Sequence, residues 1–146
     1  MANILVLNGP NLNLLGSREP DQYGYRSLEE IMEDLVRFAG ACGHDLQHVQ
    51  QNSEGALVEA VHKAAADRVD YIIVNPAAYT HTSVALRDAL LAVRIPFVEV
   101  HLSAVAAREP FRQVSYFSDI AMGVITGFRG ESYMLALQAI INHIEP

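Results

Sequence analysis

Two ionisable residues inside one apolar strand give the first chemical signal. In Phe97-Val98-Glu99-Val100-His101, Glu99 and His101 alternate with valines. Side chains two apart on a strand leave it from the same face, so the carboxylate and the imidazole are neighbours. Burying either one alone would cost on the order of several kcal/mol, and together they support each other. A carboxylate that accepts from one ring nitrogen fixes the tautomer and leaves the other nitrogen for proton transfer. The same pair would also serve as a structural ion pair, and the strand alone leaves both readings open.

A second candidate pair is Arg18 and Tyr23, separated by Glu19-Pro20-Asp21-Gln22. An unperturbed tyrosine has a pKa of about 10, so only about one in a thousand is phenolate at neutral pH. A nearby guanidinium favours the phenolate and never gives up its own charge. Tyr23 would then act as general base, matched from the sheet side by His101 as general acid. The competing reading is an aromatic ring packed under a loop beside a solvated arginine. Asn11, Asn75, His81, Ser83, Ser103 and Arg112 add neutral and cationic donors, a set suited to a small polyhydroxylated anion. Ser83 also reads as a helix cap, Asn75 as a strand terminator, and Arg112 as a surface residue.

These residues need a scaffold, and hydrophobic periodicity supplies one. Ile4 to Leu7 reads as a buried strand ended by Asn8-Gly9-Pro10. Asn11 to Gly24 is a long polar segment with Gly16, Pro20 and Gly24, too long for an ordinary connector and expected to be a functional lid without structure of its own. Ser27-Leu28-Glu29-Glu30 is a capping box. It opens a helix with Leu28, Ile31, Met32, Leu35, Val36, Ala39 and Cys42 on one face, stopped by Gly43. His44 to Gln50 is a polar edge strand. Ser53 caps a helix with Leu57, Val58, Val61, Ala64 and Ala65 inward. Tyr71 to Val74 is a buried strand, and Ser83 to Val93 a helix. Phe97 to His101, Met122 to Thr126 and a helix over Ser132 to His143 complete the chain. This alternation predicts one domain over residues 1–146, a five-stranded parallel sheet with helices on both faces. In such sheets ligands bind beyond the carboxyl ends of the strands, where Asn11, Asn75 and His101 fall.

Composition narrows the class further. Of the 146 residues 51% are hydrophobic, which excludes general disorder. A net charge of -7 with no basic run argues against nucleic-acid binding. Cys42 is the only cysteine, so no intrachain disulfide forms and a reducing cytoplasm is expected. The start of the sequence has no cationic leader and no apolar run reaches membrane-spanning length, so no membrane association is expected. His44, His48, His62 and His143 lack ligand spacing and read as solvated surface, so no metal is expected. No P-loop, dinucleotide fingerprint or Gly-x-Ser-x-Gly elbow is present.

Asn8-Gly9-Pro10-Asn11-Leu12-Asn13-Leu14-Leu15-Gly16, Arg18-Glu19-Pro20 with Tyr23-Gly24, the run from Asn75 to Ala89, and Glu99-Val100-His101-Leu102-Ser103 together resemble the type II 3-dehydroquinate dehydratases. The resemblance spans nearly the whole chain. It implies a flavodoxin-like three-layer sandwich and the conversion of 3-dehydroquinate to 3-dehydroshikimate plus water, in the shikimate pathway of aromatic amino acid biosynthesis or in quinate breakdown. It implies no cofactor, metal or Schiff base. Tyr23 would be the tyrosinate that takes a proton beside the ketone, held ionised by Arg18, and Asn11 would stabilise the enolate through an ordered water. His101, oriented by Glu99, would protonate the departing hydroxyl. Asn75, His81 and Arg112 would hold ring hydroxyls, and the Leu102 and Ser103 amides with the Ser103 hydroxyl would take the carboxylate. Similar enzymes assemble as homododecamers built from trimers, with the residue at Asp88 reaching into a neighbour's site. The chain departs from the family pattern at Ala104, Ala106, Gln113-Val114 and Phe128-Arg129, which bears on how the carboxylate and the subunit contacts are held. A flavodoxin-like module that binds a small anion without turnover, or a catalytically impaired paralogue, is the alternative.

Overall fold

Short runs rich in β-branched and aliphatic residues become strands: β1 Asn3–Asn8, β2 Asp45–Gln50, β3 Tyr71–Asn75, β4 Phe97–His101 and β5 Gly123–Thr126. The computed structural model describes residues 1–17 and 19–145, with Gln22 described by its backbone alone. The strands pair in parallel throughout, in the order β2-β1-β3-β4-β5. Parallel neighbours need crossovers, and the helices provide them: α1 Pro20–Tyr23, α2 Leu28–Ala41, α3 Glu54–Ala66, α4 Val84–Val93 and α5 Glu131–Ile144. This order is that of the flavodoxin-like sheet, whose ligand crevice lies where the winding reverses, between β1 and β3.

The strands' two-residue period sorts their side chains into two cores. Ile4, Val6, Ile73, Val98 and Val100 pack with Met32, Leu35, Tyr133 and Leu137 of α2 and α5. Leu5, Leu7, Ile72, Val74 and Phe97 pack with Leu57, Val61, Leu86 and Leu90 of α3 and α4. β4 is buried along its whole length, so Glu99 and His101 sit inside the protein, not on it.

Helix starts follow their capping residues. Ser27 accepts from the Glu30 amide while Glu30 reaches back to the Ser27 amide, the full capping box. Ser53 accepts from Ala56 and Ser83 from Leu86. Gly43, at φ 84°, closes α2. Val36 and Ala65 lie at the margins of their apolar stripes and face solvent.

Two expectations fail here. The segment 11–24, expected to lack structure of its own, holds a 3-10 turn over Leu12–Leu14 and the short α1. Leu12 and Leu15, three apart, are buried and pin it to the core. His44, expected on the surface, is buried. Its Nδ1 accepts the Ala2 amide at 3.0 Å and its Nε2 donates to Glu145 at 3.2 Å. Its partners lie 42 and 101 residues away, long-range contacts that local polarity does not reveal. His48, His62 and His143 are exposed as expected.

Gly9 marks where β1 meets the loop after β3. Its amide donates to the Asn75 carbonyl at 2.8 Å, and an added Cβ would stand 2.4 Å from the Pro76 oxygen. Gly9→Ala is therefore expected to cost about 1–3 kcal/mol by overpacking, read as a lowered urea midpoint. A loss under about 0.5 kcal/mol would refute the close approach.

Candidate active site

A carboxylate buried in a sheet must be surrounded by donors, and Glu99 is. Its Oε2 accepts from His101 Nε2 at 2.5 Å and from Ser115 Oγ at 2.9 Å, and its Oε1 accepts from Ser118 Oγ at 2.7 Å. Burial pushes the Glu99 carboxyl up, but the hydrogen bonds from His101, Ser118 and Ser115 together outweigh it and hold the group below its ordinary value. With Nε2 committed to the carboxylate, Nδ1 is the His101 nitrogen left for the pocket. The segment carrying the two serines is fixed in turn by Arg87 of α4, which donates to the Tyr116 carbonyl at 2.8 Å and grips the Asp119 carboxylate with both terminal nitrogens.

Across the strand ends Tyr23 enters from α1. Its Oη accepts from Arg108 Nη1 at 2.6 Å, and the same nitrogen donates to Ser103 Oγ at 3.2 Å. The Arg108 guanidinium carbon lies 5.4 Å from the centre of the Tyr23 ring. Arg18, the guanidinium expected beside Tyr23, lies outside the described residues. Among the described residues, Arg108 places a cation on the phenol oxygen.

Tyr23, Asn11, Asn75, His81, His101, Leu102, Ser103, Arg108 and Arg112 line one pocket at the carboxyl ends of the strands. Asn11 takes a left-handed backbone conformation at φ 69°, its amide donating to Asn52 Oδ1 at 3.0 Å. Asn52 is braced by Gln50 Nε2 at 3.1 Å and by the Tyr79 hydroxyl, which donates to its carbonyl at 2.8 Å. His81 Nδ1 donates to the Val114 carbonyl at 2.7 Å, and Arg112 Nε to Glu109 at 3.1 Å. Ser83 is buried as the α4 cap and does not reach the pocket. Asp88 lies on α4, outside the pocket of its own chain. Among the described residues no cluster of three or more His, Cys, Asp and Glu side chains is arranged to hold a metal ion, and no helix is long and apolar enough to cross a membrane.

The departures from the family pattern acquire contacts of their own. Gln113 Nε2 donates to the Ala106 carbonyl at 2.9 Å, tying the loop that carries Arg108 to its own start. Arg129 holds a left-handed backbone at φ 53° without a glycine's freedom, and it bridges two parts of the site. Its amide donates to the Leu102 carbonyl at 2.9 Å and its Nη2 to the Asp21 carbonyl of α1 at 3.3 Å.

Sequence reasoning missed Arg108, Ser115, Ser118 and Asn52. They lie in loops with no periodicity, and the only local hint was an arginine and a pair of hydroxyls following the strand that carries Glu99.

Ser118→Ala removes one donor from Glu99. It is expected to cost about 1–3 kcal/mol at neutral pH. Because the folded Glu99 titrates below its ordinary 4.5, its contribution is complete above that value and is lost as pH falls through the folded one. The gap between wild type and variant in urea unfolding should therefore narrow on acidification. A gap independent of pH would count against this account.

The model of the family described as "Dehydroquinase class II" matches residues 2–141. The chain is 60% identical over 144 residues to the 3-dehydroquinate dehydratase of Ectopseudomonas mendocina, covering 99% of this chain and 97% of that protein. It is 60% identical over 145 residues to the 3-dehydroquinate dehydratase of Legionella pneumophila (strain Corby), covering 99% and 100%. The crystal structure of the type II dehydroquinase from Butyrivibrio crossotus superposes with a TM-score of 0.93 at 38% identity, covering 97% of each chain. A 3-dehydroquinate dehydratase-like protein from Bifidobacterium longum gives 0.70 at 26% identity over the full length of both. With sequence, fold and family model in agreement along nearly its full length, the chain belongs to the class II dehydroquinases.

Proposed function

We propose that the chain performs its family's reaction, the dehydration of 3-dehydroquinate to 3-dehydroshikimate, with Tyr23 as base and His101 as acid. The observation that carries this assignment is the 2.6 Å hydrogen bond from Arg108 to the Tyr23 oxygen, in the same pocket as the Glu99-braced His101. A guanidinium keeps its charge at every accessible pH, so it stabilises a negative oxygen beside it. Tyr23 removes the proton on the carbon beside the ketone, and the electron pair moves onto the ketone oxygen as an enolate. Asn11 stabilises that oxygen through a water. The enolate then expels the hydroxyl, which leaves as water on taking a proton from His101 Nδ1, and the imidazole is left neutral against Glu99. As the resemblance implies, Arg18 also helps to hold Tyr23 ionised.

Asn75, His81 and Arg112 hold the ring hydroxyls, and the Leu102 and Ser103 amides with the Ser103 hydroxyl hold the carboxylate. Arg108 already bonds Ser103 Oγ, so the same cation also faces the carboxylate of the substrate. The reaction needs no metal, cofactor or imine. The chain assembles as a homododecamer of trimers, in which Asp88 reaches a neighbour's pocket from α4. It works in the cytoplasm, in the shikimate pathway or in quinate breakdown.

Mixing the protein with 3-dehydroquinate should generate the ultraviolet absorbance of a conjugated enone, undiminished by a chelator or by borohydride. Absence of signal would favour a binding module or an impaired paralogue. Tyr23→Phe should abolish turnover while leaving binding measurable, and Arg108→Ala should lower kcat by about 100-fold or more. Retained turnover in Tyr23→Phe would overturn the base assignment.

A further inference from the structure

We propose that Tyr133 is a positioning residue that fixes the Asn75 side-chain amide as a hydrogen-bond donor toward the pocket, through a relay polarised by Met32 at one end and by the Ala77 amide at the other. Asn8 and Tyr133 are wholly buried and Asn75 is 3% exposed, so each must find its partners within the protein. The relay begins at Met32 Sδ, which lies 3.6 Å from Asn8 Nδ2. A thioether only accepts, so the Asn8 nitrogen must face it and the Asn8 oxygen must face the other way. That oxygen lies 2.7 Å from the Tyr133 hydroxyl, which therefore gives it its single proton. Tyr133 is left able only to accept, and Asn75 Nδ2 donates to it at 2.9 Å. Asn75 Oδ1 then faces the Ala77 amide, which can only donate, at 3.2 Å.

Both ends agree on one direction. Turning the Asn75 amide over would set its oxygen against the lone pairs of Tyr133 and its nitrogen against an N–H. An asparagine amide carries two N–H groups. One is given to Tyr133, and the other belongs to the pocket that Asn75 lines with His81 and His101. The site thus demands an acceptor oxygen of the ligand at this point, as a hydroxyl or carbonyl provides and an ammonium does not. Burial pushes the Tyr133 phenol well above its ordinary value, only partly offset by the Asn75 hydrogen bond, so the relay keeps its proton throughout the working pH range.

This inference rests on the reading that Asn75 touches the substrate, and a double-mutant cycle on the full-length enzyme separates the two. Tyr133→Phe keeps the ring in the core and removes only the relay oxygen. It should raise KM for 3-dehydroquinate about tenfold while kcat stays within about twofold. In an Asn75→Ala background the same change should have no further effect on KM. If Asn75→Ala alone leaves KM unchanged, the substrate contact is wrong and the proposal falls with it. If Asn75→Ala raises KM but Tyr133→Phe does not, or if the two effects add, the relay is wrong. Met32→Leu, which deletes the acceptor at the far end, should give a smaller KM increase that also vanishes without Asn75. Should Tyr133→Phe fail to fold, Met32→Leu takes its place in the cycle, and an unchanged KM or an additive effect there overturns the relay.

Discussion

A negative charge inside a parallel sheet is the constraint to which most of this molecule answers. Glu99 lies on a strand covered on both faces, and its carboxylate is tolerable only because an imidazole and two hydroxyls converge on it. That requirement shapes chain well beyond the strand. It dictates a return of residues 115–118 over β4, and it gives the Arg87 fork on Asp119 a purpose, since a loose return would leave the carboxylate short of donors. The imidazole held by that carboxylate has its orientation fixed, so its other nitrogen keeps one direction toward the pocket.

The opposite wall of the pocket follows a different logic. Tyr23 comes from a four-residue helix with few backbone bonds of its own, and its place is set by what grips it from outside. Arg108 bonds the phenol oxygen, and Arg129 holds the Asp21 carbonyl of the same short helix. The proposed acid is built into the sheet while the proposed base is clamped by loops. An enzyme that must admit a substrate between its two proton-transfer groups gains from having one wall rigid and the other held by breakable contacts.

How much of this could be read from the residues alone depends on whether a position answers to its neighbours in sequence or to distant ones. The strands, four of the helices and the Ser27, Ser53 and Ser83 caps were legible because periodicity and capping are local. The Glu99-His101 pair was legible because a strand's two-residue repeat places both side chains on one face. Arg108 was not, because nothing in Ala107-Arg108-Glu109 says that the loop folds back onto a tyrosine 85 positions earlier. His44 was misread as surface for the same reason, and the partners of Tyr133 were equally hidden. Their partners at Glu145 and Asn8 lie 101 and 125 residues away. A tyrosine at helical spacing among leucines reads as core, and it is core. Its hydroxyl matters only once the sheet has brought Asn8 and Asn75 beneath it. The family resemblance supplied the substrate, which no arrangement of donors could have named.

The buried His44 ties the Ala2 amide to the Glu145 side chain, gathering residues near both termini at the amino ends of the strands. The pocket lies at the carboxyl ends, a full strand length away. A reporter group carried on the side chain of residue 2 or residue 145 would therefore sit at the pole opposite the pocket.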